Sequence, residues 1–131
     1  MKLLVTRKVV ARTTSSALPI RPTAVFVRGA YALIEANYQK ELSITDISAA
    51  LEIGPYHLMR EFRRHIGIPM QALQSQFRVE FGKKLLRQGL PVAEVSLEAG
   101  FADQGHFTKR FREIVGAPAA AYQRNSQGVG A

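Results

Sequence analysis

The sequence predicts an all-α protein of about seven helices, arranged as two similar lobes joined by a long central helix. The first reason is that apolar residues recur three and four positions apart over most of the chain, as on the buried face of an amphipathic helix. The second reason is an internal repeat, which implies that one structural unit is used twice. At one constant offset the repeat aligns His57 with His106, Leu58 with Phe107, Phe62 with Phe111, Arg63 with Arg112, Gly67 with Gly116 and Pro69 with Pro118.

The first lobe contains three predicted helices, which span residues 24–38, 44–51 and 55–66. Ser43 and Asp46 resemble a capping box at the start of the second of these helices. Pro55 suits the first position of the third helix, which should bury one face and expose a cationic stripe on the other. A short helix, a glycine-bearing turn and an exposed second helix form the helix-turn-helix pattern. The predicted inner face consists of Leu58, Phe62 and Ile66, and the outer stripe consists of Tyr56, Met59, Arg60 and Arg63.

A long helix is expected over 69–88, and the second copy of the pattern follows it. Gly82 lies in the middle of that helix, where glycine costs about 1 kcal/mol relative to alanine, so it indicates close packing or a bend. Asp103 is the expected N-cap of the second exposed helix. The remaining predicted helices span 92–99, 104–115 and 118–124, with Phe107, Phe111, Ile114 and Val115 facing inward.

The organisation expected from these elements is a single domain between two tails. Residues 1–22 combine lysine and arginine with serine, threonine and proline and contain no acid, which indicates a flexible basic arm or a linker remnant. A start-site artefact without a role is the alternative. The domain is expected over 23–124, with the first helix-turn-helix at 44–66, the linker helix at 69–88, the second helix-turn-helix at 92–115 and a frayed tail at 125–131.

The charge of the chain points to a polyanionic partner. Its net charge is +8 and its isoelectric point is about 10.3, which suggests nucleic acid or an anionic membrane surface. The absence of cysteine excludes disulfides and thiolate metal sites. No apolar run approaches the roughly 18 residues of a membrane span, and no secretory signal is evident, so we expect a cytoplasmic protein without a membrane partner.

No pattern in the sequence predicts catalysis or a cofactor. The chain lacks a glycine-rich phosphate loop, a paired nucleophile and base, and a convincing pair of carboxylates. Its three histidines have no acid at metal-ligand spacing, so no metal site is expected. No small-molecule pocket can be argued either. We therefore expect a binding protein and not an enzyme.

The length of the linker helix suggests how the two lobes work together. About 20 helical residues span about 30 Å, close to the roughly 34 Å between successive major-groove openings on one face of DNA. We therefore expect one chain to place two recognition helices in adjacent major grooves, and to bind DNA as a monomer.

Residues 44–124 resemble the DNA-binding region of the AraC/XylS transcription regulators. The most specific segment is 99–112, which contains Gly100-Phe101 and His106-Phe107 and is followed by Gly116, Pro118 and Tyr122. The resemblance implies homeodomain-like lobes that recognise an asymmetric promoter site in the bacterial nucleoid. It also implies an activator that contacts RNA polymerase.

The resemblance assigns base-reading positions to both recognition helices. On the first helix they are Tyr56, Met59 and Arg60, and on the second they are Gln104, His106 and Lys109. Residues expected at phosphates, which position a protein without reading sequence, are Arg63, Arg64, Lys83, Thr108 and Arg112.

Several of these residues have structural alternatives. Arg60 could pair with Glu61 or Glu52 instead of a base, Tyr56 could cap its own helix, and Met59 could be partly buried. His106 recurs at His57, directly before an inward residue, which favours a semi-buried, hydrogen-bonded histidine.

Three residues depart from the family pattern, and they keep two other functions open. Glu61 replaces a usually apolar residue, Gly105 leaves a base-reading position vacant, and Gly82 replaces a usual alanine. No sensor domain is evident, so the chain could be a truncated regulator. One alternative is a protein-interaction antagonist without promoter specificity, and the other is a nonspecific architectural DNA binder driven by charge.

Overall fold

The structure, a computed structural model, describes residues 22–130, and these residues form seven helices and no strand. The all-α prediction is therefore confirmed. In chain order the helices are α1 Pro22–Asn37, α2 Ile44–Leu51, α3 Pro55–Ile66, α4 Met70–Arg87, α5 Val92–Glu98, α6 Gln104–Val115 and α7 Ala119–Gly130. The basic arm predicted over 1–22 lies outside the described residues, apart from Pro22, the first residue of α1.

The chain divides into two compact units, and the boundary between them lies inside α4. The first unit ends at Gln74 and the second begins at Ser75. In the first unit α1 contacts both α2 and α3, and in the second unit α6 contacts both α5 and α7. Each unit therefore contains one copy of the repeat.

The core of the first unit is built from the apolar faces of its helices. Leu58 and Phe62 of α3 are fully buried. Because an α-helix repeats every 3.6 residues, burying this i, i+4 row leaves the cationic stripe of α3 on the opposite side. The other buried apolar residues of this unit are Val27, Ala30, Leu33, Ile34, Ile47, Leu51, Met70 and Leu73.

Local hydrogen bonds fix both ends of α2. The Ser43 hydroxyl accepts from the Asp46 N–H at 3.0 Å, and the Asp46 carboxylate accepts from the Ser43 N–H at 3.3 Å, so the predicted capping box is confirmed. At the other end Glu52 adopts a left-handed φ of 56° and its N–H donates to the Ala49 carbonyl. A side chain in that region costs about 1–2 kcal/mol. This strained residue ends α2 and leads the chain into α3.

Aromatic rings fill the core of the second unit. The Phe107 and Phe111 rings are fully buried, with centroids 5.6 Å apart, and Phe111 lies 5.5 Å from the ring of Tyr122. A Cβ on Gly82 would lie 2.9 Å from the Phe107 ring, so the close packing expected at Gly82 is confirmed. The remaining core residues are Val79, Leu86, Val95, Ala99, Phe101 and Ala119.

One predicted core residue is wrong. Ile114 is 39% exposed, whereas Val115 packs against the core. The buried row runs through Phe107, Phe111 and Val115, which are four residues apart, and Ile114 lies beside that row. The repeat contained this signal, since it aligns Ile114 with the polar His65.

The last helix is longer than predicted. It runs to Gly130, so the tail expected to fray over 125–131 is helical as far as the described residues extend. Serine and glycine in this segment favour an early helix end, but contacts within the unit outweigh that preference. The Gln123 amide donates to the Leu86 and Leu90 carbonyls at 3.1 and 2.6 Å, and the Ser126 hydroxyl donates to the Tyr122 carbonyl.

Candidate nucleic-acid interface

The outward face of α3 presents long side chains to solvent. Tyr56 is 77% exposed and Met59 is 42% exposed, while the Arg60 side chain is 60% exposed. Arg63 is exposed one turn further on. The exposure of Tyr56 leaves it no packing role against its own unit. The structure therefore places the predicted residues of the first recognition helix on one accessible face.

A network of ion pairs around Glu61 adjoins that face. Glu61 Oε1 accepts a hydrogen bond from Arg64 Nε at 3.2 Å, and Oε2 lies 3.6 Å from Arg60 Nε. Burial alone would raise the pKa of the Glu61 carboxyl, but the Arg64 hydrogen bond and the charges of Arg64, Arg60 and His57 outweigh it and hold that pKa below its ordinary value. The pairing of Arg60 with Glu61, considered from the sequence, is therefore present.

The outward face of α6 differs from that of α3 because one of its exposed residues, Gly105, has no side chain. Gln104, Gly105, His106 and Lys109 are all exposed, and the helix starts where the Asp103 carboxylate accepts from the His106 N–H at 2.8 Å, which confirms the predicted N-cap. A Cβ on Gly105 would meet only this carboxylate, at an ordinary contact distance of 3.5 Å. The space above this turn of the helix is therefore open.

The structure corrects the expectation for His106. Its side chain is exposed, with its ring 5.2 Å from the Phe101 ring in an edge-to-face arrangement. A semi-buried histidine is therefore wrong, since the inward neighbour Phe107 takes the buried position. His57, its counterpart in the first unit, is exposed as well.

A groove of about 350 Å³ runs beside α6. Gln104, Thr108, Lys109 and Arg112 form its polar side. The sequence did not predict the second side, which the first residue of α5, the first two residues of α7 and the proline before α7 form. One signal was available, because the repeat aligns Pro118 with Pro69 and a helix follows each of them. The residues of that second side are Val92, Pro118, Ala119 and Ala120.

The five candidate phosphate contacts differ in how accessible their polar groups are. Arg63 and Arg112 are exposed at equivalent positions of the repeat, whereas Arg64 is held by Glu61. The Lys83 side chain is only 26% exposed, with its ammonium 3.3 Å from Glu80 Oε2 and 5.9 Å from the centre of the Tyr122 ring. The Thr108 hydroxyl donates to the Gly105 carbonyl at 3.0 Å. Since phosphate oxygens only accept hydrogen bonds, Thr108 would have to break this bond to donate to a phosphate.

Two other kinds of site find no support in the described part of the chain. Over residues 22–130 no group of three or more histidine, cysteine, aspartate or glutamate side chains could hold a metal ion. No helix in the same range has the length and apolar character needed to cross a membrane.

Two helix pairs, each with an exposed polar second helix over a buried aromatic or aliphatic face, define a helix-turn-helix DNA-binding protein. A family model described as a helix-turn-helix domain matches residues 38–125. The chain belongs to the AraC family of helix-turn-helix transcription regulators. Residues 38–125 therefore form the helix-turn-helix DNA-binding domain of a transcription regulator of this family.

Known proteins resemble the chain over most of its length. The transcriptional activator AarP of Providencia stuartii is 31% identical over 96 residues, which cover 72% of this chain and 71% of AarP. A probable AraC family transcriptional regulator from Rhodopseudomonas palustris superposes with a TM-score of 0.71, at 24% identity over 77% of this chain and 96% of that one. The DNA-binding domain of AdpA, solved with a target DNA, gives a TM-score of 0.68 at 22% identity, over 83% of this chain and 96% of its own. At these identities the two structures show the fold alone.

The chain spans 26% of the length of one curated relative and 38% of the length of another.

Proposed function

We propose that this protein is a sequence-specific regulator that inserts α3 and α6 into two adjacent major grooves of one promoter site. The observation that carries the proposal is the repetition of one accessible helix face in both units, at equivalent positions and over equivalent buried residues. The fit of the two helices to adjacent grooves stays a prediction, as does binding as a monomer. Binding as a monomer is supported by the presence of both copies of the helix-turn-helix in one chain.

On the first recognition helix Arg60 is proposed to read guanine. Its guanidinium can donate to O6 and N7 of guanine, a pairing that discriminates against the wrong base by about 1–3 kcal/mol. The pairing of Arg60 with Glu61 does not prevent this, since the carboxylate lies beside Nε at 3.6 Å and the Arg60 side chain remains 60% exposed. Tyr56 and Met59 are exposed, and we expect their apolar surface to contact the methyl group of a thymine next to that guanine.

On the second recognition helix Gln104, His106 and Lys109 are proposed to read bases. Gln104 is the first residue of α6, and in this motif the N-terminal residues of the recognition helix contact base edges. A glutamine amide pairs with adenine N6 and N7, and a lysine ammonium with guanine. All three side chains are exposed and lie in the N-terminal half of α6.

Phosphate contacts are proposed to fix the register of each helix. Arg63 and Arg112 are the best placed, because both are exposed and occupy the same position in the repeat. Arg64 and Lys83 would exchange their carboxylate partners for phosphate, and Thr108 would turn its hydroxyl away from the helix. We expect these contacts to set affinity and salt dependence, not sequence preference.

The consequence for the cell is proposed to be activation of transcription through contact with RNA polymerase. Support comes from AarP, which is described as a transcriptional activator. We expect such a DNA-bound regulator to be found at the nucleoid, in the bacterial cytoplasm.

Selection of bound sequences from a random duplex pool at about 0.15 M salt tests the proposal. We expect two short enriched blocks about one helical turn apart. Arg60→Ala should relax one block and Lys109→Ala the other, which would also assign the orientation of the protein on the site.

The exposed cations Arg28 of α1 and Arg124 of α7 provide matched controls outside the recognition helices. Replacing either by alanine should lower affinity slightly and leave both blocks intact. A charge-driven binder would instead give no enriched sequence, and it would respond to Arg28→Ala as strongly as to Arg60→Ala. A protein-interaction antagonist would keep its activity when Arg60 and Lys109 are both replaced.

A further inference from the structure

Glu61 places an acid within the cationic face of α3, and its carboxylate is held in one position. The side chain is only 12% exposed. Its Oε1 accepts a hydrogen bond from Arg64 Nε at 3.2 Å and lies 3.8 Å from His65 Nδ1. One oxygen of the carboxylate is therefore held by Arg64, which does not belong to the base-reading stripe, while His65 Nδ1 makes its hydrogen bond with the Glu61 backbone carbonyl at 2.9 Å.

The second oxygen of Glu61 faces Arg60. Oε2 lies 3.6 Å from Arg60 Nε, and Arg60 Nη2 lies 3.4 Å from Nδ1 of His57. A guanidinium carries its five N–H groups in a planar fork, so a carboxylate beside Nε leaves the Nη end of that fork directed elsewhere. The Arg60 side chain remains 60% exposed, which keeps that end accessible to a base.

We infer that Glu61 is a positioning residue that holds Arg60 for end-on binding of guanine and thereby increases the sequence discrimination of α3. The inference rests on the proposed base-reading role of Arg60. A freely rotating arginine loses rotamer freedom when it binds, whereas a restrained one has already lost part of it in the unbound protein. On binding, guanine replaces the exposed contact with His57.

The negative charge of Glu61 has a second effect on the same face. It repels DNA phosphates, so it lowers the affinity of α3 for every sequence equally. A group that weakens all complexes but orients the contact to the correct base raises the ratio of specific to nonspecific binding. Glu61 therefore raises discrimination through its position, whereas its charge lowers the affinity for all duplexes alike.

The second unit lacks this arrangement and provides an internal comparison. Lys109 stands at the position of Arg60, and Arg110 stands at the position of Glu61. Arg110 Nη1 pairs instead with Glu113 Oε1 at 2.8 Å. Removing the charge of Glu113 would change the net charge of the protein as much as removing that of Glu61, without altering a partner of a base-reading residue.

Glu61→Gln is the informative variant, because it retains the size of the side chain and removes its charge. Affinity would be measured for the selected site and for the same site with 7-deazaguanine at the guanine contacted by Arg60. We expect the ratio of the two affinities to fall about 2- to 12-fold, the factor that corresponds to the ordering of one long side chain. Affinity for an unrelated duplex should rise. Glu113→Gln should raise the unrelated affinity similarly and leave the ratio unchanged.

A double-mutant comparison separates positioning from charge. In the Arg60→Ala background, Glu61→Gln should no longer change the ratio. Glu61→Asp keeps the charge but shortens the side chain, so it should lower the ratio without raising the affinity for unrelated DNA. It also provides a test if the glutamine variant fails to fold.

Two results would overturn the inference in different ways. If Glu61→Gln changes the affinity for the selected site and the affinity for its 7-deazaguanine version by the same factor, Glu61 acts through charge alone and the positioning role is wrong. If Arg60→Ala leaves the guanine preference intact, the proposed reading by Arg60 is itself wrong and the inference fails with it. The first result leaves the proposed function standing.

Discussion

Replacing Phe111 by alanine is expected to lower the free energy of unfolding by about 3–5 kcal/mol. The ring is fully buried and lies between the Phe107 and Tyr122 rings, at 5.6 and 5.5 Å between centroids. The variant therefore loses the transfer free energy of the ring, the two aromatic contacts and the packing around the cavity that remains. Because domains are stable by only about 5–15 kcal/mol, this loss is roughly a fifth or more of the total.

Urea unfolding followed by circular dichroism measures that loss. Leu97→Ala is the matched control, since Leu97 is 65% exposed and its truncation should change stability by no more than about 0.5 kcal/mol. Phe62→Ala removes the equivalent, fully buried ring of the first unit and should cost as much as Phe111→Ala.

Amide hydrogen exchange shows which helices each substitution destabilises. Phe111→Ala should weaken protection first in α5, α6 and α7, and Phe62→Ala first in α1, α2 and α3, because each ring packs within its own unit. A loss below about 1 kcal/mol for either variant would refute the assignment of these rings as the cores of the two units. Equal loss of protection in all helices would show that the units do not unfold separately.

Three further predictions follow from backbone strain, helix propensity and charge. Glu52→Gly should raise stability by about 1 kcal/mol in urea unfolding, since it relieves the left-handed φ at the end of α2; no gain would mean that this conformation is not strained. Gly105→Ala should raise the thermal midpoint, by about 0.5–1 kcal/mol in free energy, because the added Cβ meets only Asp103 at 3.5 Å, and a lower midpoint would contradict the open space seen there. The depressed pKa of Glu61 means that its carboxylate contributes stability above the ordinary value of 4.5 and that this contribution is lost as the pH falls through the lower, folded-state value. As the pH is lowered from the ordinary value through the folded-state pKa, the urea midpoint should therefore fall less steeply for Glu61→Gln than for the unmodified protein. Equal slopes for the two proteins would show that the Glu61 carboxylate makes no such contribution.

The fold was largely predictable because local signals and packing agree in this chain. The apolar spacing of α3, the capping box at Ser43 and the N-cap at Asp103 each lead to the observed element. The errors lie where tertiary contacts decide. One of them is the extension of α7 to Gly130; within that helix Gln123 donates to the carbonyls of Leu86 and Leu90, contacts that no local pattern indicates.

The sequence predicts which helix faces form the candidate interface, but it does not predict the contacts that the side chains on those faces make. Periodicity identifies Arg60 and Lys109 as outward residues. It cannot show that Glu61 divides its two oxygens between Arg60 and Arg64, because that depends on side-chain rotamers. It also failed for His106, whose neighbour Phe107 is buried while the imidazole itself lies against the edge of Phe101 in solvent.

The two units agree in their buried residues and differ in their exposed ones, and this difference predicts the form of the DNA site. The large, exposed Tyr56 of α3 corresponds to Gly105 of α6, which has no side chain to reach a base. Arg60, with Glu61 beside it, corresponds to Lys109, which has no acid at the equivalent position. Under the proposed base-reading roles, different side chains at equivalent positions pair with different base edges, so we expect the two helices to prefer different sequences. The selected site should therefore contain two dissimilar blocks, and two copies of one block would contradict this account of how the recognition helices differ.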